Sequence, residues 1–270
     1  MSSGRETEFL NAAVEAARRS QEVILDNLGR LSKGDVSLKQ ASDFVTRVDK
    51  ESEHVIIQTI KERFPQHFFL SEESLKDTEN TYRWIIDPLD GTTNYIHGFP
   101  MFAVSIALEH KGEIILGVVL DPLRDELFTA EKGCGAYLNG SPIRVSTASV
   151  LSECLLATGF PFRKKDMIDL YLQAFRNIFL RVSGIRRAGS AALDLAYLAA
   201  GRCDGFFELG LSPWDIAAGS ILIKEAGGIV TDFGGGNDYL STGNIVAGTQ
   251  YVHGEVLKEI KNVFGGIIDK

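Results

Sequence analysis

Between Trp84 and Asn94 the chain reads Trp-Ile-Ile-Asp-Pro-Leu-Asp-Gly-Thr-Thr-Asn, and this segment restricts the fold more than any other. A fully apolar strand runs directly into two carboxylates three positions apart. Burying Asp87 and Asp90 without compensation is costly. Pro88 is expected to stop the strand, and the resulting turn brings both carboxylates and the Leu89 carbonyl to one point. An oxygen-only donor set of this kind suits a hard cation such as magnesium. Gly91 to Asn94 then reads as a tight turn opening a short helix, whose free amides and positive dipole end favour an anion. An Asx turn in which Asp90 caps a helix is the competing reading. Two aspartates after an apolar strand, followed by Gly-Thr-Thr, favour the metal reading.

Other acidic residues repeat the pattern less strongly. Glu72 and Glu73 follow the apolar Phe68-Phe69-Leu70, where acidic pairs are usually solvated, and the pair is a candidate ligand or base. Ser212-Pro213-Trp214-Asp215 places an aspartate just inside a helix, a position that also suits a charge complementing the helix dipole. Asp49 precedes a helix and reads equally as a cap. No competing centre is present. The sequence has no G-x-S-x-G elbow, no G-x-x-x-x-G-K-[ST] loop and no H-E-x-x-H pair, and its five histidines are scattered. Gly234-Gly235-Gly236 lacks a following helix pattern and is read as a loop. Hydrolysis assisted by two or more magnesium ions fits what remains.

Periodicity gives the frame. Leu10, Ala13, Val14, Ala17, Ile24, Leu25 and Leu28 recur at helical spacing and Gly29 stops the helix. A second helix is expected over 50–64, ended by Pro65, and the polar stretch 32–42 between them reads as a loop. Strand-like runs at 67–70, 84–87, 103–109, 114–120 and 126–130, joined by short turns such as Asn139-Gly140, predict an antiparallel sheet of hairpins. After residue 150 the pattern alternates, with helices at 168–180, 191–200, 214–226 and 255–263 and strands at 205–209, 229–232 and 245–247. The expected organisation is an α+β half over 1–150 carrying the metal motif and an α/β half over 151–270, packed as one unit.

With 44% apolar residues the chain can bury a substantial core. Its 28 Lys and Arg against 36 Asp and Glu leave a net charge of −8, which argues against a nucleic-acid partner. Arg186, Arg187 and Arg202 are the nearest approach to a basic patch. Cys134, Cys154 and Cys203 are odd in number and unpaired in pattern, and they read as reduced core thiols. The N-terminus lacks the apolar stretch of a secretory signal, and no apolar run of about 18 residues could span a bilayer. The expected compartment is the cytoplasm, with no membrane association.

At these residues the chain resembles the inositol monophosphatase family of lithium-sensitive, magnesium-dependent sugar phosphatases. The D-P-L-D-G-T-T-N segment and Trp214 to Gly219 (W-D-I-A-A-G) are its two characteristic motifs. Asp43 to Asp49, Glu72-Glu73-Ser74 and Gly189-Ser190-Ala191-Ala192 match further positions in order. The C-terminal half looks closest to the bacterial SuhB-type members, and Ser71 stands where many relatives have glycine. The resemblance implies an αβαβα layered sandwich of helices with mixed and antiparallel sheets. It also implies that Glu72, Asp87 and the Leu89 carbonyl hold one magnesium, that Asp87, Asp90 and Asp215 hold a second, and that a weaker third lies near Glu72. Glu72 and Thr92 would activate a water, and Asp49 would support Lys39 or the outer metal shell. Asp90, Gly91, Thr92, Gly189, Ser190, Ala191, Glu208 and Asp215 would contact the substrate, and Lys39 would lie on a mobile loop that reaches the site. The implied substrate is a small phosphate ester, inositol 1-phosphate or else fructose 1,6-bisphosphate or another sugar phosphate. A homodimer and a regulatory partnership with the transcription machinery are implied as well.

Overall fold

The computed structural model describes residues 8–40, 43–78 and 81–267. Its first sheet has seven strands: β3 (Phe68–Ser71), β4 (Arg83–Asp90), β5 (Ala103–His110), β6 (Glu113–Asp121), β7 (Glu126–Glu131), β8 (Gly135–Leu138) and β9 (Ser141–Ile143), lying side by side in chain order. All pairings are antiparallel except β3–β4, which is parallel, so the expected run of hairpins holds from β4 onward. Alternation along these strands sends neighbouring side chains to opposite faces. Trp84, Ile86, Val104, Ile106, Val118 and Leu120 pack against α1 (Glu8–Asn27) and α2 (Arg47–Arg63), whereas Ile85, Ala107, Val119 and Phe128 face the other way. Gly29, with φ +71°, ends α1 as expected, although Leu25 turns outward.

That second face meets α5 (Ala191–Ala199) and α6 (Pro213–Glu225), which form the central helical layer. Gly117 on β6 lets α6 sit close, because a Cβ there would lie 2.6 Å from Ile221 Cγ2 and 2.7 Å from the Ala218 carbonyl. Beyond the two helices is a five-stranded mixed sheet. It contains β10 (Leu155–Thr158), β11 (Gly184–Arg186), β12 (Gly205–Glu208), β13 (Ile229–Thr231) and β14 (Ile245–Gly248), in the order β11-β10-β12-β14-β13. Its outer face, through Leu156, Phe207 and Val246, is covered by α4 (Ile168–Phe179) and α8 (Gln250–Phe264). The layers therefore read αβαβα, as the sequence resemblance implied, and α7 (Tyr239–Thr242) is a single turn between β13 and β14.

Three expectations change. The stretch read as a loop over 32–42 contains β1 (Val36–Gln40), which pairs antiparallel with β2 (Asp43–Thr46); residues 41 and 42 lie outside the described residues. Lys39 is therefore on a strand, and its side chain lies outside the described residues. Pro88 does not stop β4. The strand continues to Asp90 because its register against β5 slips between Asp87 and Asp90, and its pairing with β3 has already ended at Ile86. A proline costs little where no ladder bond is required of it. Cys154 and Cys203 are buried thiols, but Cys134 is exposed, because it sits in the turn between β7 and β8.

Candidate active site

The end of β4 and the first turns of three helices converge on one cleft of about 310 Å³, a size suited to a small molecule. Asp87, Asp90 and Asp215 each offer an oxygen within 4.8 Å of the others. The hydrogen bonds among the described residues fall on one oxygen of each carboxylate. Asp87 Oδ1 accepts from the Leu89 amide at 3.0 Å. Asp90 Oδ2 accepts from Ser190 Oγ at 2.6 Å and from the Ala192 amide at 2.8 Å, which ties β4 to the start of α5. Asp215 Oδ2 accepts from the Ser212 amide at 2.7 Å and from Arg163 Nη1 at 2.8 Å. Each carboxylate is thus oriented by protein donors on one of its oxygens, as metal ligands require.

Asp215 and Asp49 occupy the same local niche. Each is the third residue of a helix and closes a capping box, Asp215 with Ser212 on α6 and Asp49 with Thr46 on α2. The cap reading and the site reading are therefore both right about where these residues stand. Asp49 uses Oδ2 for the cap and accepts from Thr92 Oγ1 on Oδ1 at 2.8 Å. The same Thr92 hydroxyl lies 3.0 Å from the Leu89 carbonyl, so one proton serves two acceptors. The turn itself is anchored from behind: Ser20 on α1 meets Ser52 on α2 at 2.6 Å, and Ser52 Oγ donates to the Pro88 carbonyl at 2.9 Å.

Electrostatics identifies what the cluster suits. Burial, then the charges of Glu72, Asp90 and Asp215, push Asp87 well above the usual carboxylate range. Burial and then Asp215 push Asp90 up to about 7. Carboxylates that raise one another's pKa in this way are stabilised by a cation. An all-oxygen set with one free oxygen apiece fits a hard divalent ion.

Gly91, with φ +91°, caps α3 (Thr92–Ile96), and a Cβ there would lie 2.8 Å from the Met101 carbonyl, so glycine is required. The Asn94 side-chain amide donates to the carbonyls of Met101, at 2.7 Å, and Ala188, at 2.9 Å, and so holds the loop that carries Gly189 against α3. Gly189, Ser190 and Ala191 line the cleft, with Ser190 capping α5. Glu208, at the end of β12, also lines the cleft, and burial, followed by Asp194 and Asp215, raises its pKa well above normal. Glu72 enters from the end of β3. Every predicted site residue except Lys39, whose side chain is not described, is therefore in or directly behind this cleft.

Sequence reasoning missed Arg163, paired with Asp215, and Asp194, a buried residue of α5 whose pKa is raised by burial and then by Asp90. It read Arg187 as surface, and the residue is exposed, but it also missed that Arg187 lines the cleft beside an exposed Phe160, with its guanidinium carbon 5.6 Å from that ring centre. None of the three sits in a pattern with chemical meaning along the chain. Among the described residues, no helix is long and apolar enough to cross a membrane.

The sequence model of the inositol monophosphatase family matches residues 5–263 of the chain. The chain is similar to the Nus factor SuhB of Escherichia coli strain K12, at 52% identity over 94% of this chain and 96% of that protein. It is also similar to an inositol-1-monophosphatase of Mesorhizobium japonicum, at 45% identity with the same coverage of both chains. Among solved structures, the extragenic suppressor protein suhB of Bartonella henselae superposes with a TM-score of 0.91 at 44% identity, covering 97% of this chain and all of that one.

Proposed function

Because the chain belongs to the inositol monophosphatase family of metal-dependent phosphatases, we infer that it is a magnesium-dependent phosphomonoesterase that hydrolyses inositol 1-phosphate. One observation carries the reading: the carboxylates of Asp87, Asp90 and Asp215 meet within 4.8 Å beside the Gly91–Thr92 turn. In this reading Glu72, Asp87, the Leu89 carbonyl, Asp90 and Asp215 hold two to three magnesium ions. When bound, magnesium supplies Lewis acidity that activates water and neutralises charge on the phosphoryl group and the leaving oxygen. Glu72 and Thr92 orient the attacking water and Glu72 takes its proton. Asp49 fixes the rotamer of Thr92 so that the hydroxyl's lone pairs face the water. The Gly91 and Thr92 amides hold phosphate oxygens, and Glu208 with the Gly189–Ala191 turn meets the hydroxyls of the leaving group.

Phosphate release from inositol 1-phosphate and fructose 1,6-bisphosphate, with and without magnesium, for wild type and Asp90→Asn tests this. Magnesium-dependent release abolished by the substitution is expected, faster on the inositol ester. Fructose 1,6-bisphosphate as the better substrate moves the assignment to a broader sugar phosphatase. No release from either substrate by folded protein refutes the reading. Millimolar lithium should slow the reaction if a weak third cation site lies near Glu72.

A second role is supported by the name of the Escherichia coli relative, a Nus factor: binding to the transcription machinery in the cytoplasm. Capture of RNA polymerase or an elongation factor from the host lysate is expected, and its absence removes this reading. A homodimer is supported by the apolar residues that α4 and its end leave exposed, Ile168, Leu172, Phe179 and Leu180, and sedimentation tests it.

A further inference from the structure

Glu72 reaches the cleft from a turn whose start is tied to β4 by the Glu72 amide, which donates to the Ile86 carbonyl at 3.1 Å, and the rest of that turn is gripped by residues with no place in the chemistry above. Ser71 is fully buried and its hydroxyl accepts from the Leu75 amide at 3.0 Å, closing the turn on itself. Glu53, buried on α2, accepts from the Glu73 amide at 2.8 Å and from Ser74 Oγ. Lys76 does something different. Its ammonium donates to the carbonyls of Ser71 and Glu72, the latter at 3.0 Å, and lies 3.9 Å from the ring centre of Trp214.

Trp214 is the residue before Asp215. Its carbonyl accepts from Ser105 Oγ on β5 at 3.1 Å. Its buried indole nitrogen has no hydrogen-bond partner among the described residues, and the ring is held by packing against the central core and by the Lys76 cation over its face. A cation over an indole face is the strongest of the cation–aromatic pairings, more so when partly desolvated. Lys76 therefore binds both the backbone of Glu72, at the end of the first sheet, and the helix start that presents Asp215.

We propose that Lys76 is a positioning residue that fixes the separation between Glu72 and Asp215 and thereby sets the affinity of the site for its divalent cation. The proposal rests on the metal-dependent reading above. Loss of a residue that orients ligands from outside the coordination shell weakens metal binding by about ten- to a hundredfold. It need not change the reaction once the metal is forced on by mass action.

The test compares wild type, Lys76→Met, Lys76→Arg and Trp214→Phe, measuring magnesium binding by calorimetry alongside the magnesium concentration for half-maximal phosphate release. Lys76→Met should weaken both by about tenfold or more while kcat at saturating magnesium stays within about threefold of wild type. Lys76→Arg, which keeps the charge and the donors, should restore most of the affinity. Trp214→Phe should weaken binding in the same direction, and adding it to Lys76→Met should cost less than the sum of the two, since they share one contact. Should Lys76→Met fail to fold, the Trp214→Phe shift and the near-native Lys76→Arg decide the matter. Unchanged magnesium affinity in Lys76→Met, or a fall in kcat with unchanged affinity, overturns the proposal and leaves the phosphatase reading intact. Wild type that binds no magnesium overturns the reading itself.

Discussion

Gly159 provides a test of how Glu208 acts. The residue is buried, its φ lies outside the left-handed region, and alanine is conformationally acceptable there. Its Cβ, however, would fall inside the Glu208 carboxyl group, overlapping Oε1, Cδ and Oε2, where ordinary van der Waals contact begins at 3.4 Å. The carboxyl is the far end of a side chain and can swing away, so the fold should survive at a cost of about 1–3 kcal/mol, the usual penalty for overfilling a packed site. The displaced carboxyl can no longer reach a substrate hydroxyl. A hydrogen bond to such a group is worth about 1.5–3 kcal/mol, so kcat/KM on inositol 1-phosphate should fall by about ten- to a hundredfold. On para-nitrophenyl phosphate, which has no hydroxyls to lose, kcat/KM should stay within about threefold, because the metal cluster is untouched. Steady-state kinetics on both esters reads the difference. Equal losses on both would mean that Glu208 supports the metal centre instead, and no loss on either would mean that it does not meet the substrate.

Asp90 makes a prediction about stability without metal. Its folded pKa of about 7 exceeds the unfolded value of 3.8, so between these limits the native state holds the extra proton and stability falls as pH rises. At about 1.4 kcal/mol per unit, metal-free wild type should lose about 4 kcal/mol more than Asp90→Asn across that window, and magnesium should remove the difference. Parallel denaturation curves for the two proteins in chelator across that pH range would refute it. Gly91→Ala forces a left-handed φ and a 2.8 Å approach to the Met101 carbonyl. It should cost about 1–3 kcal/mol in urea unfolding and reduce phosphate release at least about tenfold. Wild-type activity in that variant would show that the turn does not contact phosphate.

Much of the layered fold was readable along the chain because its largest elements are periodic. The apolar spacing of α1, the strand runs of β4 to β7 and the helix starts at Ser190 and Ser212 are all local signals. The short strands β8 to β11 were not, and length is not the whole reason, since the equally short β12 to β14 were read; β8, β9 and β11 bury at most one residue each and so carry little apolar pattern. Pro88 misled in a physically instructive way: a missing amide ends a strand only where a ladder bond is needed, and the register slip against β5 removes that need.

For the site, the sequence by itself determined the ligand chemistry. Two aspartates after an apolar strand, then Gly-Thr-Thr, favour a cation with an anion beside it over a simple Asx-turn cap. Capping boxes likewise put Asp49 and Asp215 at helix starts by local hydrogen bonding alone. Only the tertiary structure decided which of these helix starts meet. Packing α6 on β6 through Gly117 brings Asp215 to Asp87 and Asp90, and the raised pKa of Asp90 arises from that approach and from burial. Arg163, Asp194, Arg187 and the Lys76–Trp214 contact belong to the same category. Each gains its meaning from a neighbour distant in sequence. Electrostatic and packing energies depend on separation in space, and no residue pattern along the chain encodes that separation.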